Sequence, residues 1–390
     1  MAIIPPARPR VLLIHNFLSP YRVPLFTELA RRFELDLWIL GDVSRLREWQ
    51  GDAPADAFPY RVLPHLGMGL GSRYNMILVN PTLPLELARH RYDALICCGW
   101  DTPAVFYAAC WARLRRIPFV LWAGSTPAER TWVRRLTTWP VRRLVRAADA
   151  WIAYGTRARD YLVELGADQQ HTYRAFNTIE TDAFARNSAL SAEQRRAFKK
   201  ITGIPAENDV VLFCGNLLAL KGLDDLLPGF ARFAENRQGV TLLLVGSGKD
   251  ETRYRTMAAR LGIEDRVVFA GYVARNELAP YYAIADLLVL PSYSEVWGLV
   301  VNEAMACGVP VLVSEAVGAS TDLVREGVNG YVAPVGSPER IAELLARYFD
   351  AETDRQAMAA AARETIAPYT IGAMAEAFEA AVATARGRRP

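Results

Sequence analysis

Two glutamates eight positions apart, Glu295 and Glu303, stand in the stretch PSYSEVWGLVVNEAMACGVPVLVS at residues 291–314. An apolar strand ends there in a Pro-Ser turn, Gly298 opens a helix that closes at Gly308, and Pro310 leads into the next strand. A glycine at a helix start lets a ligand approach the backbone, and the free N–H groups of the first turn attract anions. From these positions both carboxylates can face a cleft at different depths, one accepting from sugar hydroxyls and the other from a ribose. The plainer alternative is a helix start with two solvated glutamates. A second candidate is VLFCGNLLALKG at residues 211–222, a strand followed by Gly215, Asn216 and then Lys221. A lysine just past the carboxyl end of a strand can neutralise a diphosphate. It can also be an ordinary surface lysine.

The elements that must hold these residues alternate: short apolar runs, then amphipathic ones, as in a parallel sheet covered by helices on both faces. In the first half, strands are expected at 10–15, 35–40, 94–98, 119–122 and 150–153, with helices at 24–32, 102–116 and 156–165 between them. The pattern restarts with strands at 210–214, 241–245, 267–270, 287–290 and 311–313. Turn residues cluster between the two series, at 176–207, so the domain boundary is expected there. The fold class is α/β, with two doubly wound domains in tandem and ligands beyond the carboxyl ends of the strands.

Composition sets bounds. A chain of 390 residues suits two domains, and 52% hydrophobic with 22% charged residues is globular. A net charge of +3 gives no argument for nucleic acid. Uncharged stretches stay shorter than the ~18 residues of a spanning helix. Residues 1–10 hold three prolines and no apolar core, so no signal peptide is read and a cytoplasmic protein is expected. The five cysteines, an odd number in apolar surroundings, read as buried reduced thiols and not as a zinc site.

The stretch around the two glutamates closely resembles the Glu-x7-Glu signature of retaining GT-B glycosyltransferases of family 4, matching at Glu295, Gly298, Leu299, Glu303, Ala304, Gly308 and Pro310. The resemblance runs from about residue 210 to 348, and residues 318–338 look like the family's closing segment. It implies a GT-B architecture of two Rossmann-like domains across a cleft: an acceptor domain at 1–185, a donor domain at 186–368, and a last helix at 369–390 crossing back. It implies a retaining hexosyltransferase that takes a UDP- or GDP-linked sugar. Glu295 would hold the sugar hydroxyls and support positive charge at the anomeric carbon. Glu303 would bind the ribose. Gly215, Asn216, Lys221 and the amides of Gly298, Leu299 and Val300 would hold the diphosphate, with the segment bearing Tyr272 beside the base. No Asp-x-Asp triad occurs at a strand end, so no metal and no further cofactor are expected. Two departures stand out. Asn216 replaces the usual arginine, and Ala123-Gly124-Ser125-Thr126 stands where many members carry a histidine.

The first half says less about its ligand. Tyr21-Arg22 resembles a motif of many bacterial members, and Arg22 would bind a phosphate or pair with an acid. Trp100 would line an acceptor pocket or join the core. His15 reads as structural. Residues 130–148, RTWVRRLTTWPVRRLVRAA, carry six arginines and no acid, with Val133, Leu136, Trp139 and Leu144 near one helical face interrupted by Pro140. Such a face can lie on an anionic membrane or be an ordinary surface helix. The expected partners are a nucleoside-diphosphate sugar and a hydroxyl acceptor, a lipid-linked or cell-surface glycan precursor of polysaccharide biosynthesis met at the inner membrane face. Arg386, Arg388 and Arg389 are expected beside the same basic surface. Two rivals remain at this point: another GT-B enzyme, phosphorolytic or epimerising, and a non-catalytic sugar-nucleotide scaffold.

Overall fold

In the computed structural model the chain divides into two compact units, Met1–Asn177 with Ile371–Pro390, and Thr178–Thr370. The structure describes residues 8–41, 58–69, 76–127 and 132–389, with backbone only at 68–69, 76–77 and 132–136.

The strands of the first unit are β1 (Arg10–His15), β2 (Glu34–Ile39), β3 (Tyr60–Val62), β4 (Leu66–Gly69), β5 (Met76–Val79), β6 (Ala94–Cys98), β7 (Phe119–Ala123), β8 (Ala150–Ala153) and β9 (Thr172–Arg174). Seven of them form one sheet, ordered β3-β2-β1-β6-β7-β8-β9, and β4 and β5 form a separate antiparallel pair. Every pairing in the large sheet is parallel. That follows from runs such as ALICC and FVLWA, buried at every position, because a parallel sheet is covered on both faces and tolerates no polar alternation. Helices α1 (Val23–Arg32), α2 (Leu83–Arg89), α3 (Pro103–Arg115), α4 (Trp132–Ala147) and α5 (Thr156–Leu165) are the connections.

The second unit begins with α6 (Thr181–Asn187) and α7 (Ala192–Ile201). Ser191 and Gln194 close a reciprocal capping box on α7, which is why that charged segment is a defined helix. The strands β10 (Asp209–Cys214), β11 (Val240–Val245), β12 (Val267–Gly271), β13 (Leu287–Leu290), β14 (Val311–Ser314) and β15 (Gly330–Ala333) pair in parallel in the order β12-β11-β10-β13-β14-β15. Its remaining helices are α8 (Leu223–Glu235), α9 (Glu251–Arg260), α10 (Ala279–Ala283), α11 (Leu299–Ala306), α12 (Ser320–Leu323), α13 (Pro338–Tyr348) and α14 (Arg355–Ile366). Both sheets reverse strand order once, between β1 and β6 in the first and between β10 and β13 in the second. Such switch points open a crevice for ligands at the carboxyl ends.

Finally α15 (Ile371–Arg388) rejoins the first unit. It buries Met374, Phe378, Val382 and Ala385 against the sheet, with Phe378 edge-on to Trp122 at 4.9 Å.

Several details differ from the sequence reading. The units divide at Asn177, not at 185, because α6 packs Phe184 against Tyr282 of the second unit, ring centroids 6.1 Å apart. The second unit likewise ends at Thr370, not 368. Pro140 does not interrupt α4, which runs through it. Its buried face is Val141, Leu144 and Val145, and Trp139 is 65% exposed. Trp139 and Leu144 are five residues apart, about 140° around a helix, so they cannot share a face. Arg130 lies outside the described residues, as do the side chains of Val133, Arg134, Arg135 and Leu136. Four cysteines are buried and free, but Cys110 is exposed on the outer side of α3. Arg388 and Arg389 do not add free charge at the tail: both engage Asp149, Arg388 through the backbone carbonyl and Arg389 through the carboxylate at 2.8 Å. Among the described residues, no helix is long and apolar enough to cross a membrane.

Candidate active site

The residues after β10 and β13 flank the switch point of the second sheet. Between them Lys221 Nζ donates to Glu295 Oε2, and both side chains are about one-fifth exposed, at 22% and 19%. One glycine explains how residues 74 positions apart meet. Gly222 has φ +75°, and a Cβ there would lie 2.0 Å from the Pro291 carbonyl oxygen, so only glycine lets the two loops touch. The Tyr293 amide then donates to the Leu220 carbonyl at 2.9 Å and locks the loops together.

Beyond Glu295, the Gly318 amide donates to its carbonyl at 3.0 Å, and Trp297 Nε1 donates to the buried Asn302 Oδ1 at 2.9 Å. Gly298, at φ +94°, caps α11 with no side-chain bond and no acid in the first turn. The α11 start therefore carries uncompensated N–H dipoles. Leu299 and Val300 stand half-buried on that turn, and Asn216 is exposed one residue after Gly215. Tyr272, just after β12, is 46% exposed. Among the described residues, no group of three or more His, Cys, Asp or Glu side chains is placed to hold a metal.

Glu303 differs from the expected cleft-facing carboxylate: it is 0% exposed, and its Oε2 accepts from the Tyr282 hydroxyl at 2.6 Å. The cause is α10, which lays the fully buried Tyr282 over α11. Burial and the Glu303 charge push the neighbouring Cys214 thiol up to about 12, and burial drives the Tyr282 phenol up as well. Both groups stay protonated, and the Tyr282 hydroxyl serves Glu303 as a donor. Tyr282 was missed in the sequence, whose only signal for it is a Tyr-Tyr pair on a short helix.

At the switch point of the first sheet a different cluster forms. Arg22 is 8% exposed, its guanidinium 4.9 Å from the ring centroids of both Trp122 and Tyr154. Its Nη1 donates to Asn177 Oδ1 at 2.6 Å, and no described carboxylate pairs with it. His15 lies beside it with Nδ1 2.8 Å from the Phe17 carbonyl oxygen, which puts the ring proton on Nδ1. Burial first, and Arg22 second, lower its pKa to about 3. Tyr21 is half-buried next to this cluster. Trp100 is a core residue, 9% exposed and edge-on to Tyr161 at 6.3 Å, because α5 covers it. The aromatic partners of Arg22 went unread, although they end the apolar runs FVLW and WIAY.

Residues 194–365 match the model of glycosyl transferases group 1, and residues 9–183 match that of glycosyltransferase family 4. The chain is 30% identical over 296 residues to a D-inositol 3-phosphate glycosyltransferase of Xylanimonas cellulosilytica, spanning 75% of this chain and 68% of that one. The chain belongs to the group 1, family 4 glycosyltransferases. The D-inositol 3-phosphate glycosyltransferase of Acidothermus cellulolyticus is 34% identical over 57% of this chain, which spans about half of that relative's length, 53%. Among solved structures, Anabaena Alr3699/HepE in complex with UDP and glucose superposes with a TM-score of 0.74 at 19% identity, over 95% of this chain and 98% of that one. That likeness is one of fold. This glycosyltransferase thus has the GT-B fold, two parallel-sheet Rossmann-like units.

Proposed function

We propose that this glycosyltransferase moves a sugar from a UDP- or GDP-linked donor to a hydroxyl acceptor with retention at the anomeric carbon. The observation that carries the reading is the Lys221–Glu295 pair at the switch point of the second unit. A donor diphosphate takes over Lys221 and the first-turn amides of α11, and Glu295 is released to the sugar hydroxyls and to charge developing at the anomeric centre. Glu303 meets the ribose only once Tyr282 moves off its carboxylate, since both side chains are buried. The departing phosphate oxygen receives the acceptor proton, so no separate protein base is required. Thermal shift with UDP and GDP tests the donor: one of them raises the melting temperature, and the rise shrinks in Lys221→Ala. No rise with either nucleotide sinks the reading.

For the acceptor, two readings have distinct support. The relatives bear names that specify inositol 3-phosphate, which favours a small phosphorylated polyol. The exposed Trp139, with Arg143 stacked 4.3 Å over it and Arg142 beside it, favours a lipid-linked acceptor at an anionic membrane. Sedimentation with phosphatidylglycerol vesicles separates them. Binding at low salt that disappears in Trp139→Ala/Arg142→Gln/Arg143→Gln supports the lipid. Turnover with inositol phosphate and no sedimentation supports the polyol.

A further inference from the structure

The amino edge of the first sheet carries a cavity that the reaction does not use. The switch-point residues follow the carboxyl ends of β1, β7 and β8, whereas Asp93 and Pro118 immediately precede β6 and β7. Between them opens a cavity of about 900 Å³ that also takes in the end of α3 and the end of α15. Its size suits a ligand of nucleotide dimensions.

Four exposed arginines line it, Arg91, Arg115, Arg116 and Arg386, and none makes an ion pair with another described residue. One carboxylate, Asp93, faces them, and its Oδ2 already accepts from the Arg10 amide at 2.8 Å. A fifth arginine, Arg389, is occupied by Asp149 at 2.8 Å and by the Ile117 carbonyl at 2.9 Å, and so pins the tail that brings Arg386 to the cavity. Four like charges gathered along one concave wall, facing a single carboxylate, repel one another.

Two further features preset the arrangement. Trp111 stacks on the Arg115 guanidinium at 4.8 Å and holds its plane. Arg116 has φ +57° and is the only non-glycine with positive φ among the described residues. It occupies the left-handed position that ends α3, where glycine is the unstrained choice. A guanidinium held at a backbone cost, next to three other unpaired ones, matches the bidentate geometry of phosphate oxygens.

We propose that this cavity is a second anion site that binds a multiply charged phosphate group, carried by a soluble phosphorylated metabolite and separate from the donor site. The reading is independent of the proposed transfer reaction, because its test reads binding and not turnover. Tripolyphosphate is titrated calorimetrically into the full-length wild type, into Lys221→Ala, and into Arg115→Gln/Arg116→Gln/Arg386→Gln. Lys221→Ala is expected to keep the cavity site, and the triple variant to weaken it at least tenfold while keeping UDP or GDP binding. Arg116→Gly provides a variant that folds more stably, and it is expected to raise the melting temperature while weakening tripolyphosphate several-fold. Sedimentation with phosphatidylglycerol–phosphatidylcholine vesicles distinguishes the source: loss in the triple variant alone assigns the phosphate to a lipid headgroup. Equal tripolyphosphate and vesicle binding by wild type and triple variant, with both folded, overturns the proposal.

Discussion

At the switch point of each sheet stands a cation, Lys221 in one unit and Arg22 in the other, and the two are held in opposite ways. Lys221 is partly exposed and bonded to a carboxylate on a neighbouring loop. Arg22 is buried between two aromatic rings and bonded to a neutral amide. In the proposed reaction the first arrangement would exchange partners at low cost, since a diphosphate would replace one anion by another and free a carboxylate where positive charge develops. The second has no anion to exchange, and its desolvation is offset by π faces and packing. A half-buried ion pair therefore marks a site that works by substitution of its partner, and a caged cation marks one that holds its own surroundings.

Glu295→Gln is expected to lower kcat by about 10²–10³-fold with little change in donor KM, the size of effect seen when one preorganised electrostatic group is removed. A change confined to KM would make Glu295 a holder and not an actor. Arg22→Met tests the other side. Losing two cation–π contacts and leaving Asn177 without its charged donor should cost about 2–3 kcal/mol of stability in urea unfolding. If stability holds while acceptor KM rises, the cage is a ligand site and the contrast fails.

Acid sharpens the contrast further. His15, beside Arg22, has its folded pKa lowered to about 3, so the unfolded chain takes up its proton first as pH falls. Its contribution to stability is fully present above the unfolded value near 6.5 and is lost progressively from there down toward 3, at about 1.4 kcal/mol per pH unit. His15→Asn should flatten the stability profile between pH 4 and 6, measured by denaturant midpoints. An unchanged slope would mean that His15 is not what acid attacks.

What the sequence disclosed tracks how each part is held. Strands at 94–98, 150–153 and 287–290 have the same bounds in the structure, because continuous apolar runs admit no other register of burial. The exposed β3, the β4–β5 pair and the edge strand β15 were not anticipated. β3 is exposed, β15 begins with glycine, and β4 and β5 are held by their antiparallel pairing, so pairing, not pattern, makes them strands. Within the candidate site, Glu295 and Lys221 were legible one at a time from motif and position. Their contact was not, since it depends on Gly222 approaching Pro291 in space. The burial of Glu303 was equally invisible, because Tyr282 covers it from a five-residue helix 21 positions away.

Asn216 tests the smallest difference. It stands exposed beside Gly215 on the same loop as Lys221, at the position where the family resemblance implies an arginine. If substitution of the Glu295 partner is how the site takes a diphosphate, a second cation there should strengthen binding without altering the exchange itself. Asn216→Arg is expected to tighten UDP or GDP by about 1 kcal/mol, roughly fivefold, with a steeper salt dependence because the added charge is solvent-screened. The gain should persist in Glu295→Gln, since an arginine at 216 attracts phosphate whether or not Lys221 begins paired. A gain that vanishes in Glu295→Gln would instead mean that the new guanidinium merely takes Glu295 away from Lys221. Unchanged affinity in a folded variant would show that position 216 does not reach the diphosphate, leaving Lys221 and the α11 amides to hold it.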